Sequence, residues 1–453
     1  MERPARKVLF HSYHFPPIGG SGAQRPLKMV RYLADLGYES IVVTGGGAYR
    51  GDRWAPEDAT LLEEIPAEVT VHRLPAMDEP PGTSRIRPFA ERWLGIRDRW
   101  TGWWVEGSTR LGSEVGAGVD LIYVWMQPYA SAEAGAALSR ALRAPWVADL
   151  GDPWALDEML IYATAAHRRL ALRRMGELLG TASAIVMSTQ EAVDRLLRQF
   201  PELASRTVVA IPNGFDAADF AAEPTPRDDG KFRIVHTGYL HTALGEQHRR
   251  RRLLHSVLRG SIPGLDVLTR SHVYLVEAID RILDRDPGLL ELLELHLAGV
   301  MNATDRRAAT RCPVVRLHGY VTHAESIELM RSANLLFLPM HNLPRGVRAT
   351  IVPGKTYEYL AAGTPILAAV PAGDARDILV EAGNAILVYP DDVDAMTSGI
   401  LQEIERFRAS LSARAPEPGV VARFEYRKLA GDLADLFAAV LAQSKKRSPR
   451  AVV

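Results

Sequence analysis

Four short stretches combine residue types that bind anions or move protons. The sharpest is Val352-Pro353-Gly354-Lys355-Thr356-Tyr357-Glu358-Tyr359-Leu360-Ala361-Ala362-Gly363-Thr364-Pro365. Pro-Gly closes a loop, the pattern predicts a helix from Lys355, and Gly363-Thr364-Pro365 ends it before a strand. A lysine in a helix's first turn is electrostatically misplaced, because the dipole puts partial positive charge there. A phosphate held between the lysine and the open amides would remove the conflict. Glu358, one turn on, is then placed for ribose hydroxyls. The plainer alternative is a solvated Lys–Glu pair.

The second stretch, Phe15-Pro16-Pro17-Ile18-Gly19-Gly20-Ser21-Gly22-Ala23-Gln24-Arg25, follows a strand and opens a helix. Its glycines allow a ligand close to the backbone. The spacing is neither the dinucleotide G-x-G-x-x-G nor a P-loop, and a tight turn without ligand is the alternative. The third, Ala148-Asp149-Leu150-Gly151-Asp152-Pro153-Trp154, puts two carboxylates at a strand's C-terminal end, where α/β sites form. Asp152 before Pro153 also suits a helix N-cap. The fourth, Asn213-Gly214, is a turn signal.

Two segments interrupt the rhythm. Arg85–Trp104 holds Trp93, Trp100, Trp103 and Trp104 with five arginines. That composition suits peripheral contact with a membrane interface, or a helical insertion packed on the first domain. Lys231–His272 carries eight Lys/Arg against two Asp/Glu, including Arg249-Arg250-Arg251-Arg252. It reads as a solvated loop or as the seat of a phosphate or anionic partner.

These stretches need a scaffold, and the apolar pattern supplies one. Lys7–Phe10, Ile41–Thr44, Val69–Leu74, Leu121–Trp125, Pro145–Leu150, Ala184–Met187 and Val208–Ile211 read as strands with helices between them. The alternation restarts with Phe232–His236, Leu293–Gly299, Val314–Leu317, Leu335–Leu338, Pro365–Ala369 and Ala385–Val388. Two sets imply an α/β fold of two doubly wound domains. The expected division is 1–216 and 217–424, joined near Pro212–Arg227, with a closing helix over 425–443 returning to the first domain. A basic tail over 444–453 is expected to be disordered.

The chain has 453 residues, 54 Lys+Arg and 54 Asp+Glu. No basic excess points to nucleic acid. The single cysteine, Cys312, precludes an intramolecular disulfide and a cysteine-based zinc site. No stretch reads as a signal peptide or membrane span. A cytoplasmic protein is expected, with peripheral attachment at the inner membrane face as an option.

Taken in order along the chain, the motifs resemble the retaining glycosyltransferases of family 4, which have the GT-B fold. The Phe-Pro-Pro…Gly-Gly…Arg loop resembles the family's opening loop. Asn213-Gly214-Phe215-Asp216 resembles its junction, Thr237-Gly238-Tyr239-Leu240 its second glycine turn, and Lys355 to Pro365 a Pro-x-Lys-x-Tyr/Phe-Glu-Tyr…Gly-x-Pro subgroup. The resemblance implies two Rossmann-like domains facing a cleft that takes a UDP-, GDP- or dTDP-sugar, with a hydroxyl acceptor and no metal or other cofactor. It implies Gly19, Gly20, Gly238, Arg270, Thr350, Ile351, Val352, Lys355 and Glu358 at the donor. Catalytic work falls to Asp152, Lys355 and Glu358, and the acceptor side to His14, Arg25 and Asp149. Retention at the anomeric carbon is implied, as is a setting in surface polysaccharide, glycolipid or natural-product assembly. Two positions depart from the family: Thr350 stands where many members have Glu, and Gly151 where many have His or Arg. A nucleotide-sugar 2-epimerase of the same fold, or a non-catalytic binding subunit, are the alternatives.

Overall fold

The computed structural model describes residues 6–46, 56–75, 77, 98–223 and 225–447. Two all-parallel sheets organise them. In the first, β1 (Arg6–His11), β2 (Tyr38–Thr44), β3 (Thr70–Arg73), β4 (Leu121–Trp125), β5 (Trp146–Leu150), β6 (Ala184–Met187) and β7 (Thr207–Ala210) lie in the order 3-2-1-4-5-6-7. In the second, β8 (Phe232–Thr237), β9 (Leu293–Ala298), β10 (Val315–Gly319), β11 (Leu335–Pro339), β12 (Ile366–Ala369) and β13 (Ala385–Val388) run 10-9-8-11-12-13. The central strands are apolar without alternation because helices cover both faces: every residue of β4, β5, β11 and β12 is buried. Strand order reverses beside β1 in one sheet and beside β8 in the other. Loops leaving the strands at such a point part and leave a crevice.

The chain forms two compact units. One gathers residues up to Asp157, Ala165–Asn213 and the closing helix. The other takes Gly214–Glu425 together with Glu158–Thr164. The closing helix, Tyr426–Arg447, belongs to the first unit's core. Tyr426, Leu429, Leu433, Leu436, Phe437 and Val440 pack in one cluster with Val8, Phe10, Leu33 and Tyr123. Tyr38 Oη donates to the Ala434 carbonyl at 3.1 Å.

The expectation of disorder from Ser444 is corrected, since the helix continues through Arg447. Nothing in Gln443-Ser444-Lys445-Lys446-Arg447 breaks a helix, and cations suit its C-terminal end. Positions 448–453 lie outside the described residues.

The Arg85–Trp104 segment divides similarly. Residues 85–97, Trp93 included, lie outside the described set. From Arg99 a helix runs to Val115, opened by Asp98, whose carboxylate accepts from Thr101 N at 2.8 Å. Its glycines, Gly102, Gly107 and Gly112, blur the apolar period that would have marked it in the sequence. Trp104 is fully buried and donates Nε1–H to Ser131 Oγ at 3.0 Å. Trp100 and Trp103 pack with Tyr13, Ile18 and Leu74. Trp104 is thus a core residue of the first unit with Trp100 and Trp103 half-buried against it, which is the packed helical insertion rather than a membrane-facing surface for these three.

Candidate functional site

In the second unit, β8 ends at Thr237 and the chain turns at Gly238, which has φ +119°. Only glycine fits there. A Cβ would fall on Lys355 Nζ and lie 2.9 Å from its Cε. Lys355 opens the helix Lys355–Ala362, whose N-cap, Gly354, offers no side chain to its amides. The lysine thus lies across the glycine turn at the sheet's switch point, in the first turn of a helix whose Thr356 and Tyr357 N–H groups donate to the Pro353 and Gly354 carbonyls. Burial and the nearby Arg270 pull its pKa down to about 7, partly opposed by Glu358. Two cations beside a helix N-terminus form a strongly anion-seeking arrangement.

Histidines surround them without adding charge. Burial holds His236 well below its usual range and His341 at about 3, with Lys355 and Arg270 pushing the same way. His236 also meets the Phe337 carbonyl at 2.9 Å, and Tyr359 Oη accepts from Thr237 N at 3.1 Å.

Thr350 brings a correction. Its N–H, expected to hold a ligand, donates instead to Glu158 Oε1 at 3.1 Å, and its hydroxyl donates to Oε2 at 2.6 Å. Glu158 is fully buried. The next residue, Met159, places Sδ 2.9 Å from Arg270 Nη1. A carboxylate from the first half of the sequence therefore occupies the neighbourhood of the position where the family pattern has its own. The N–H groups of Ile351 and Val352 meet no acceptor among the described residues, while their side chains join the core. Gly238, Arg270, Lys355 and Glu358 are thus brought to one end of the second sheet together with the loop Thr350–Val352.

In the first unit the opening loop behaves otherwise. The Gly19 amide donates to the Pro56 carbonyl at 2.6 Å and is spent on the loop itself, correcting its assignment to a diphosphate. Gly20 caps the helix Ser21–Asp35 with φ +78° and no side-chain bond. Arg25 and Asp149 are 1% and 0% exposed and paired with each other at 2.9 and 3.2 Å. Arg25 also donates to the Ile211 and Pro212 carbonyls, and Tyr123 Oη donates to Asp149 at 2.5 Å. Burial alone would lower the Arg25 pKa; Asp149 more than reverses this and raises it. Both residues are framework rather than acceptor contacts, because no surface of either is left for a substrate. Asp152 accepts from Gln127 Nε2 at 3.2 Å rather than capping a helix. His14 and Gln127 crowd the first turn at Gly22, within 3.1 and 3.2 Å of where a Cβ would stand. The departure at Gly151 also has a cause: a Cβ there would meet the Trp125 ring at 2.5 Å.

Two family models match this chain. "Glycosyl transferase 4-like domain" covers residues 20–214, and "Glycosyl transferases group 1" covers 265–406. The chain belongs to the family 4-like GT-B glycosyltransferases. Among solved structures, this glycosyltransferase is similar to sucrose-phosphate synthase from Thermosynechococcus elongatus, at 15% identity and TM-score 0.63, covering 97% of this chain and 100% of that one. It is similar to Anabaena Alr3699/HepE in complex with UDP and glucose, at 18% identity, TM-score 0.60 and coverage of 96% and 100%. It is also similar to the α,α-trehalose 6-phosphate synthase from Burkholderia multivorans, at 14%, 0.61, 99% and 100%. At these identities the likeness shows the fold. No match was found among curated proteins.

Sequence reasoning missed the glycosyltransferase's Glu158, Met159, His236 and His341. The histidines had a signal, since His236 lies near the end of a strand and His341 just beyond one, where sites form in such sheets. Glu158 had none. Its partner is 192 residues away, and nothing around it has an anion's or metal's spacing.

Proposed function

We propose that the second unit binds a nucleotide-diphospho-sugar and that the enzyme transfers its sugar to a hydroxyl acceptor with retention of anomeric configuration. The observation that carries this reading is Lys355 lying over Gly238 beside Arg270, two cations with Glu358 as the acid that favours the charged form of Lys355. Sugar transfer breaks the bond between the anomeric carbon and a diphosphate oxygen, and charge grows on that oxygen. Preorganised cations and amides are worth most where charge develops. Lys355, Arg270 and the Ile351 and Val352 N–H groups are assigned to the diphosphate, and Glu358 to the ribose. The acceptor oxygen takes the anomeric carbon, and its proton passes to the departing phosphate. In the first unit, His14, Gln127 and Asp152 form the polar surface assigned to the acceptor.

The complex of the Anabaena protein with UDP and glucose makes UDP-glucose the first donor to try. The test is calorimetric binding of UDP-, GDP- and dTDP-glucose to the wild-type chain and to Lys355→Met. One donor should bind the wild type and be lost from the variant. Binding of none, or equal binding to both proteins, overturns the proposal.

A further inference from the structure

The first unit's crevice holds more than its polar pair. β4 and β5 are neighbouring parallel strands, and the loops leaving their C-terminal ends are joined twice. Gln127 Nε2 donates to Asp152 Oδ2 at 3.2 Å. Two residues further along each loop, the Tyr129 and Trp154 rings stack, with centroids 5.6 Å apart and planes 8° from parallel. A polar rung thus lies beside an aromatic rung. The loop after β1, the other strand at the switch point, adds His14 to the polar side, where it and Gln127 both lie against Gly22.

Trp154 has φ +48°, in the left-handed region, where a side chain this large is rare and strained. Such strain persists only where the surroundings enforce it, and it gathers at ligand sites. The Trp154 ring is 8% exposed, too little to be a contact surface itself. It acts as a backing plate for Tyr129, which is half-buried and keeps part of its surface open, as do Gln127, Asp152 and His14.

We propose that Tyr129, backed by Trp154, is the platform for a sugar ring, so that the hydroxyl acceptor assigned to this crevice is a saccharide. The proposal rests on that assignment. A pyranose has hydroxyls around its rim and C–H groups across its face. The rim needs groups that give and take hydrogen bonds, which Gln127, Asp152 and His14 supply. The C–H face carries partial positive charge and meets the electron-rich face of an aromatic ring. An acyclic alcohol or a serine side chain would use the polar rung and leave the aromatic one idle. A lipid chain would call for apolar walls without an amide and a carboxylate between them.

The full chain, without nucleotide, is mixed with the methyl pyranosides of glucose, galactose, mannose, rhamnose and N-acetylglucosamine, and separately with sorbitol and a serine-containing peptide. Binding is read by saturation-transfer NMR and by titration. At least one pyranoside should bind, and sorbitol and the peptide should not. Saturating the protein's aromatic protons should mark the sugar's C–H groups more strongly than saturating its methyl protons. Tyr129→Leu should weaken the affinity about tenfold, while Tyr129→Phe should stay within about twofold of wild type. If Tyr129→Leu does not fold, the contrast between aromatic and methyl saturation in the wild type decides. The bound pyranoside should also remain when whichever of UDP-, GDP- and dTDP-glucose binds is added. The proposal is overturned if that nucleotide-sugar displaces it, since the platform then serves the donor's sugar. Binding of no pyranoside, equal binding of sorbitol or the peptide, equal marking by both saturations, or unchanged affinity in Tyr129→Leu also overturns it. Because the sugars are offered without nucleotide, failure here and failure of the donor panel are separate results.

Discussion

Each unit buries or half-buries an arginine at the end of its sheet, and the two differ in what stands opposite. Arg25 faces Asp149 in a two-bond pair, with Tyr123 and two carbonyls completing the shell. Arg270 faces a second cation, Lys355. The first cluster is electrically closed, with guanidinium set against carboxylate. The second is open: burial and Arg270 press Lys355 towards its neutral form, and Glu358 only partly opposes them. A closed cluster builds a wall, whereas an open one awaits an anion.

Breaking the closed pair should have the largest effect. Asp149→Asn leaves a buried guanidinium without its charge, and removing one partner of such a pair costs about 3–5 kcal/mol. Urea denaturation should show that loss. Nucleotide-sugar affinity, measured where the variant remains folded, should stay within about threefold of wild type.

Lys355→Met should do the reverse. Nucleoside diphosphate affinity should fall about 100-fold, in line with the loss of a preorganised charge, while the ligand-free melting temperature holds or rises. If the variant melts lower and still binds, the two clusters are the same kind of object.

Proton linkage sharpens the contrast. The Lys355 pKa is about 7 when folded, against 10.5 for an ordinary lysine. As pH falls from 10.5 towards 7, the unfolded chain takes up a proton that the folded chain refuses. Ligand-free stability should therefore decline across that window and level off below it. A bound diphosphate restores the proton. Binding near pH 8 should be accompanied by proton uptake, visible as a buffer-dependent calorimetric enthalpy, and affinity should weaken up to about tenfold per pH unit above 7.

The smallest effect is expected at Glu158→Gln, where charge is removed but shape kept. Two charge-assisted bonds to Thr350 become neutral ones, at a cost of about 1 kcal/mol in unfolding free energy.

The scaffold was readable because buried parallel strands leave continuous apolar runs, such as Leu121–Trp125 and Ala184–Met187, between Gly- and Asp-rich turns. Lys355 was readable because it is locally frustrated: a cation in a helix's first turn conflicts with its own backbone, and that conflict is visible without a partner. Arg25 and Asp149 were found but misassigned, since sequence shows charge and not depth. Glu158 stayed hidden because the hydrogen bonds that give it meaning reach 192 residues along the chain. Gly151 read as a loss until the Trp125 ring proved to fill the space above it.

The closing helix has a consequence for the order of assembly. The core shared by Val8, Phe10 and Tyr123 is completed by Leu429, Leu433 and Phe437. During synthesis the second unit's 214–425 span emerges in full before those residues leave the ribosome. The half of the enzyme made first therefore cannot complete its core until Tyr426–Arg447 has been made, and until then the apolar side chains that pack against this helix stay uncovered.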